Sequence, residues 1–203
     1  GAWASGGALN TGRHGGGGSG PQTAAIIFAG EDPKSKAAEE YDGSTWTEVA
    51  DLIQARASLG SSGQGTQTAT LAFGGVEPAD SDKTESWNGT SWTELANLND
   101  AGGSGAGFGT QTAAVYANRL PATSNVEEWD GTSWTEVTNS PTANSYLGGS
   151  GILTAGLIFG GTPYTGNTFE YDGTNWTTGG SLNTGRENIE GAGLQTATVA
   201  FGG

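Results

Sequence analysis

One phrase recurs through this chain and limits what it can fold into. Gly65-Thr66-Gln67-Thr68-Ala69-Thr70-Leu71-Ala72-Phe73-Gly74-Gly75 has counterparts beginning near Gln22, Gln111, Leu153 and Gln195, at intervals of 42 to 45 residues. Self-similarity at that period marks a propeller or solenoid, in which each unit buries its apolar faces only against its neighbours. The 203 residues are therefore read as one domain of repeated units.

Each unit divides into four short strands, a to d, at the even spacing of an all-β ring. Strand a is rich in small residues, as in Gly15-Gly16-Gly17-Gly18-Ser19, which suits a crowded position beside an axis where backbones approach closely. Strand b is a near-continuous apolar run such as Thr23-Ala24-Ala25-Ile26-Ile27-Phe28, fit for burial on both faces. Phe73, Phe159 and Phe201 share the phase of Phe28; the third repeat has Ala117-Asn118-Arg119 where Phe-Gly-Gly is expected. Strand c ends on Tyr41, Trp87, Trp129 or Tyr171, each followed by Asp-Gly or Asn-Gly, whose tolerance of positive φ suits a hairpin. Strand d carries Trp46, Trp92, Trp134 or Trp176, with Trp3 as the fifth.

The blades run over about 13–49, 56–95, 101–137 and 143–178, and a fifth joins 186–203 to 1–5. Its d strand is expected at Ala2-Trp3-Ala4, closing the ring from both chain ends and protecting open edges. No fifth c strand is present in the sequence, so the chain reads as a piece of a longer array, or as one that receives a strand from a neighbouring segment or chain.

Composition removes several function classes. The net charge is −14 and the seven Lys and Arg form no basic run, which disfavours nucleic acid. No apolar run approaches the ~18 residues of a membrane helix. Cysteine is absent, so thiolate chemistry and disulfides are excluded.

The pattern of an apolar strand with Gly-Gly, an aromatic with Asp-Gly, then a Trp resembles the Kelch repeat of β-propellers across essentially the whole chain. The aromatic-to-Trp gap is shorter than the common Kelch pattern, and five units are fewer than its usual six or seven. The wording Leu-Asn-Thr-x-Arg, Thr-Gln-Thr-Ala and Phe-Gly-Gly looks like kelch-like proteins of phages and aquatic bacteria. The count of repeats gives five blades, and the resemblance implies a non-enzymatic binding or structural module of an extracellular or virion-associated assembly, with other protein segments or glycans as partners and no cofactor.

Candidate site residues follow from position. Arg13, Arg56 and Arg186 recur at the d-to-a junction, with Gly102 and Asn144 in their place in the other repeats. They read either as salt-bridge and carbonyl contacts between blades or as a partial guanidinium ring gripping a carboxylate or sugar hydroxyls at the channel mouth. The b-to-c loops vary most and offer Lys34, Arg119 and Tyr164, since specificity tends to sit on loops of a rigid scaffold. Asp80 and Asp82 are weak Ca²⁺ candidates, two carboxylates being too few for such an ion. His14, the single histidine, stands at the inner-strand entrance. Glu39, Glu85 and Glu127 recur at one phase of strand c and so serve the blade, whereas a glycosidase needs a unique carboxylate pair. A lectin and a glycosidase-type enzyme are the alternative readings.

Overall fold

The structure, a computed structural model, describes residues 3–31 and 34–203. The repeat folds as an antiparallel meander. Strands β1 (Gly17–Ser19), β2 (Ala25–Phe28), β3 (Ala38–Tyr41) and β4 (Trp46–Val49) form the first sheet in that order. The second begins with β5 (Gly60–Ser61) and β6 (Thr70–Phe73). The chain then makes a separate two-stranded hairpin, β7 (Val76–Glu77) and β8 (Ala79–Asp80), before β9 (Thr84–Trp87) and β10 (Trp92–Glu94) complete the second sheet in the order β5, β6, β9, β10. The third holds β11 (Ala106–Thr110), β12 (Ala113–Ala117), β13 (Val126–Trp129) and β14 (Trp134–Glu136). The fourth holds β15 (Leu147–Ile152), β16 (Ala155–Gly160), β17 (Thr168–Tyr171) and β18 (Trp176–Thr178). The last sheet has only two strands, β19 (Ile189–Leu194) and β20 (Ala197–Gly202).

The architecture is an all-β propeller with four complete blades, not five. The fifth d strand expected from the N-terminus does not form: Trp3 and Ala4 belong to no strand, and Ala2 lies outside the described residues. Trp3 is 85% exposed, its ring resting edge-on 6.2 Å from Phe201. The physical reason is the missing strand c. A d strand hydrogen-bonds to c, so without c the segment has no ladder to join. No helix among the described residues is long and apolar enough to cross a membrane.

Successive inner strands touch in the order β1, β5, β11, β15, β19. Glycine permits this approach. A Cβ on Gly149 would lie 2.7 Å from the Gly107 carbonyl oxygen, and one on Gly191 would lie 2.7 Å from that of Gly149.

The core is split into layers between blades. Phe28 of the first sheet meets Trp92 of the second at 4.9 Å, and Phe73 of the second meets Trp134 of the third at 5.0 Å, both edge-on. A third layer packs Phe108 and Val115 against Ile158 and Tyr171. Burying each large side chain is worth about 1.5–3 kcal/mol, so these layers carry the cohesion between neighbours.

Within blades, the c and d aromatics face each other across the ladder, as in Trp87–Trp92 and Tyr171–Trp176. At each c-to-d turn only the glycine takes positive φ (Gly43, Gly89, Gly131, Gly173). The preceding Asp or Asn works differently, its side-chain oxygen accepting two backbone N–H groups, as Asp42 does from Ser44 and Thr45 at 2.8 Å each. The amides of Thr45 and Ser44, with the Ser44 hydroxyl, hold the Asp42 carboxyl well below its usual pKa.

Candidate binding site at the channel mouth

Every blade enters its inner strand through the same junction, and an arginine organises most of them. Arg13 donates to the carbonyl oxygens of Ala29 (3.2 Å) and Ala37 (2.6 Å) and to Glu39 (2.6 Å). Arg56 repeats the set on Gly74 (2.9 Å), Lys83 (2.6 Å) and Glu85 (2.8 Å). In both pairs neither side chain is more than 2% exposed. The glutamate's other oxygen accepts from the incoming linker: the backbone N–H of Asn10 donates to Glu39, and that of Ile53 to Glu85, both at 2.7 Å. Burial raises the Glu39 pKa, but the amides of Asn10 and Thr11 together with Arg13 outweigh it and leave the carboxyl below its usual value.

The third blade reaches the same end by another route. Gly102 stands at the arginine position, and Arg119 comes from the b-to-c loop instead, its Cδ filling the space beside Gly102. Arg119 pairs with Glu127 at 2.5 Å and lies over the Tyr116 ring. Burial pushes the Tyr116 phenol up to about 12. Asn118 takes the left-handed φ of 54° that Gly74 supplies in the second blade, which explains why Phe-Gly-Gly is replaced there. In the fourth blade both partners change together, to Asn144 and the buried Phe169.

Of the two readings of these arginines, the contacts are salt bridges and carbonyl hydrogen bonds, made inside each blade rather than between blades, and Arg13, Arg56 and Arg119 form no guanidinium ring at the mouth. Arg186 is half-buried and donates to the Gly202 carbonyl oxygen at 2.9 Å. Tyr164 is 67% exposed on the fourth b-to-c loop, away from the residues lining the mouth. Lys34 is half-buried on the first loop. Asp80 is exposed on β8, Asp82 accepts from Asn97 at 3.0 Å, and no group of three metal-binding side chains gathers among the described residues.

What does line the mouth is the residue following each junction. Gly15, Ser58, Ser104, Tyr146 and Asn188 all adopt left-handed φ, between 52° and 63°. Backbone hydrogen bonds link them around the axis: Ser58 donates to Gly15, Ser104 to Ser58 and Tyr146 to Ser104, each at 2.7 Å, and Asn188 to Tyr146 at 3.0 Å. Non-glycine residues in this region are costly unless neighbours hold them, and such residues cluster at functional sites. Above the linked backbone opens a cavity of about 310 Å³, to which His14, Leu59, Leu147, Ile189 and Glu190 also contribute. That is at the small end of ligand cavities. At the other end of the inner strands Gln64 donates to the Gly193 carbonyl oxygen at 2.7 Å, tying the second sheet to the fifth across the channel.

Glu190 is the one carboxylate among the described residues lining this cavity. Glu190 is open to solvent through the channel, yet the crowding of the surrounding inner strands pushes its pKa up to about 7. Sequence reasoning passed over Glu190 and the left-handed positions. The signal of the left-handed positions was a phase one residue beyond that of His14, occupied by Gly, Ser, Ser, Tyr and Asn on an otherwise repetitive unit.

Comparison with known proteins shows the fold alone. No known protein family matches the chain, and no curated protein does. Among solved structures, that of YjhT is similar, with a TM-score of 0.74 and 12% sequence identity over 91% of this chain and 70% of that one.

Proposed function

We propose that this propeller is a non-enzymatic binding and structural module of a larger extracellular or virion-associated assembly. The observation that carries this reading is the mouth, where one repeated left-handed backbone presents a glycine, two serines, a tyrosine and an asparagine around a cavity lined by the inner strands. Constant scaffold with variable tips is how a binding surface is built on a rigid fold. The resemblance of the repeat wording to kelch-like proteins of phages and aquatic bacteria suggests the assembly context. A glycosidase would need a second carboxylate facing Glu190, and the described residues around the cavity offer none.

A glycan is the second reading for what the mouth holds. Tyr146 offers an aromatic face, while Ser58, Ser104 and Asn188 offer neutral donors and acceptors suited to hydroxyl groups. The test is a glycan array probed with the wild-type chain and Asn188→Ala, alongside a panel of chromogenic glycosides. Binding lost in Asn188→Ala with no glycoside turnover supports a lectin-like mouth. A blank array with no turnover favours protein partners. Turnover abolished by Glu190→Gln would overturn the non-enzymatic reading.

A further inference from the structure

Strand a of each unit has one place where packing keeps the residue small. It lies two residues beyond the left-handed position and holds Gly17, Gly60, Ala106 and Gly148 in the first four sheets. Each of these pairs across the ladder with strand b at Phe28, Phe73, Ala117 or Phe159. A Cβ added to Gly17, Gly60 or Gly148 would come within 3 Å of the ring of that phenylalanine. The fifth sheet breaks the rule: Glu190, paired with Phe201, carries a full side chain and a charge. It lines both the cavity at the mouth and the channel beneath it, where Gly17, Gly60, Gly107 and Gly149 offer only backbone.

The chemistry around Glu190 is one-sided. No lysine or arginine lines the cavity. The arginines of the first three blades are taken up by Glu39, Glu85 and Glu127. The segments that frame the mouth add carboxylates instead. Glu31 is bridged to His14, Glu77 follows the Val76 that is bridged to Ala57, and Glu187 precedes Asn188. None of the three forms a salt bridge among the described residues. A cleft lined by one sign of charge concentrates the counter-ion. Leu59, Leu147 and Ile189, all buried, give the same cavity an apolar wall, and Tyr146 adds a ring of the kind that attracts cations.

We infer that the mouth takes a small organic ammonium ion, its nitrogen held by the Glu190 carboxylate and its carbon body against Leu59, Leu147 and Ile189. A bare divalent ion would find too few ligands in one carboxylate. An uncharged ligand would leave that carboxylate without a countercharge. The inference rests on the reading of the mouth as a binding site and names the class of ligand. Ammonium binding favours the ionised carboxylate, so near neutral pH it drives off the proton that Glu190 partly holds. His14 and Tyr146 are the other titratable side chains lining the cavity. β15, β16 and β20, packed against β19, carry none, and neither does β1.

The probe is cyclohexylammonium, which stays protonated at neutral pH, compared with cyclohexanol, its uncharged counterpart of like shape. Each is titrated calorimetrically into the whole chain at pH 7 and low ionic strength, in two buffers of different ionisation enthalpy. The expected result is saturable binding of the ammonium, roughly fivefold tighter than the alcohol, as suits a charge pair in a half-open cleft. It should release about half a proton per site, because Glu190 is near its midpoint there. Glu190→Gln, with an unchanged circular dichroism spectrum, should remove both the preference and the proton release, whereas His14→Gln should leave both. No saturable binding of the ammonium, or a preference or proton release that survives Glu190→Gln, would overturn the inference. Equal binding of ammonium and alcohol would also overturn it and would still leave a ligand-binding mouth.

Discussion

The two copies of Leu-Asn-Thr-Gly-Arg are identical in sequence and different in outcome. At Leu9–Arg13 the pentapeptide closes on a glutamate that is almost wholly buried, and the blade around it is complete. At Leu182–Arg186 the same residues stand beside a two-stranded sheet, with the guanidinium on a single carbonyl. Local sequence therefore specifies half of this site. Strand c supplies the other half, and the ion pair forms only where that strand is present. The arginine thus acts as a clasp that joins linker, strand b and strand c.

The largest effect is expected from breaking the first copy. Glu39→Ala strands Arg13 among carbonyls in a buried pocket and should cost about 3–5 kcal/mol in urea unfolding, the range for an orphaned buried charge. The wild type should also show an acid limb that this variant lacks. Glu39 titrates below its ordinary value in the fold, so its contribution is fully present above about pH 4.5 and is lost as pH falls through the lower, folded pKa.

A second test borrows the solution of the fourth blade. Replacing Arg56 and Glu85 together by Asn and Phe, the pair found at Asn144 and Phe169, should be less damaging than either single change. The coupling in a double-mutant cycle should be about 1–3 kcal/mol. Simple additivity would mean that the two positions do not act as a unit.

Glu190 sharpens the comparison from the other side, as a carboxyl in the solvent-open channel with no hydrogen-bond or ion-pair partner among the described residues. Its folded pKa of about 7 exceeds its ordinary value, so the fold binds the proton more tightly than the unfolded chain does. Stability should fall as pH rises between about 4.5 and 7. Glu190→Gln should therefore stabilise the chain by about 1 kcal/mol at pH 8, after discounting for solvent reaching it through the channel, and by nothing at pH 4. The smallest effect belongs to the second copy: Arg186→Gln should change stability by less than about 0.5 kcal/mol, as for other exposed contacts.

What was legible in the sequence was what each repeat encodes by itself. The b-strand runs, the Asp-Gly turns and the recurring Glu39, Glu85 and Glu127 all lie where short-range pattern puts them. The exchange of Gly102 for arginine and its return as Arg119 was not legible, because two positions far apart in sequence share one pocket. The missing fifth c strand was legible, but not its consequence: Trp3 has the right spacing for strand d and still joins no strand, because a strand exists only if its ladder partner does. The mouth escaped for a third reason. Serine and tyrosine carry no mark of a left-handed backbone, and neighbours impose it through the linked hydrogen bonds from Gly15 to Asn188.

The most direct test of the clasp is amide hydrogen exchange on the isolated chain, comparing β2 with β20. Both are b strands with the same apolar phase, but only β2 has a c strand beside it. The account predicts protection along all of β2 and, on β20, protection of the amides facing β19 alone, with the outward ones exchanging nearly as in an unfolded chain. Uniform protection of β20 would show that the fifth blade is already complete and would contradict the account.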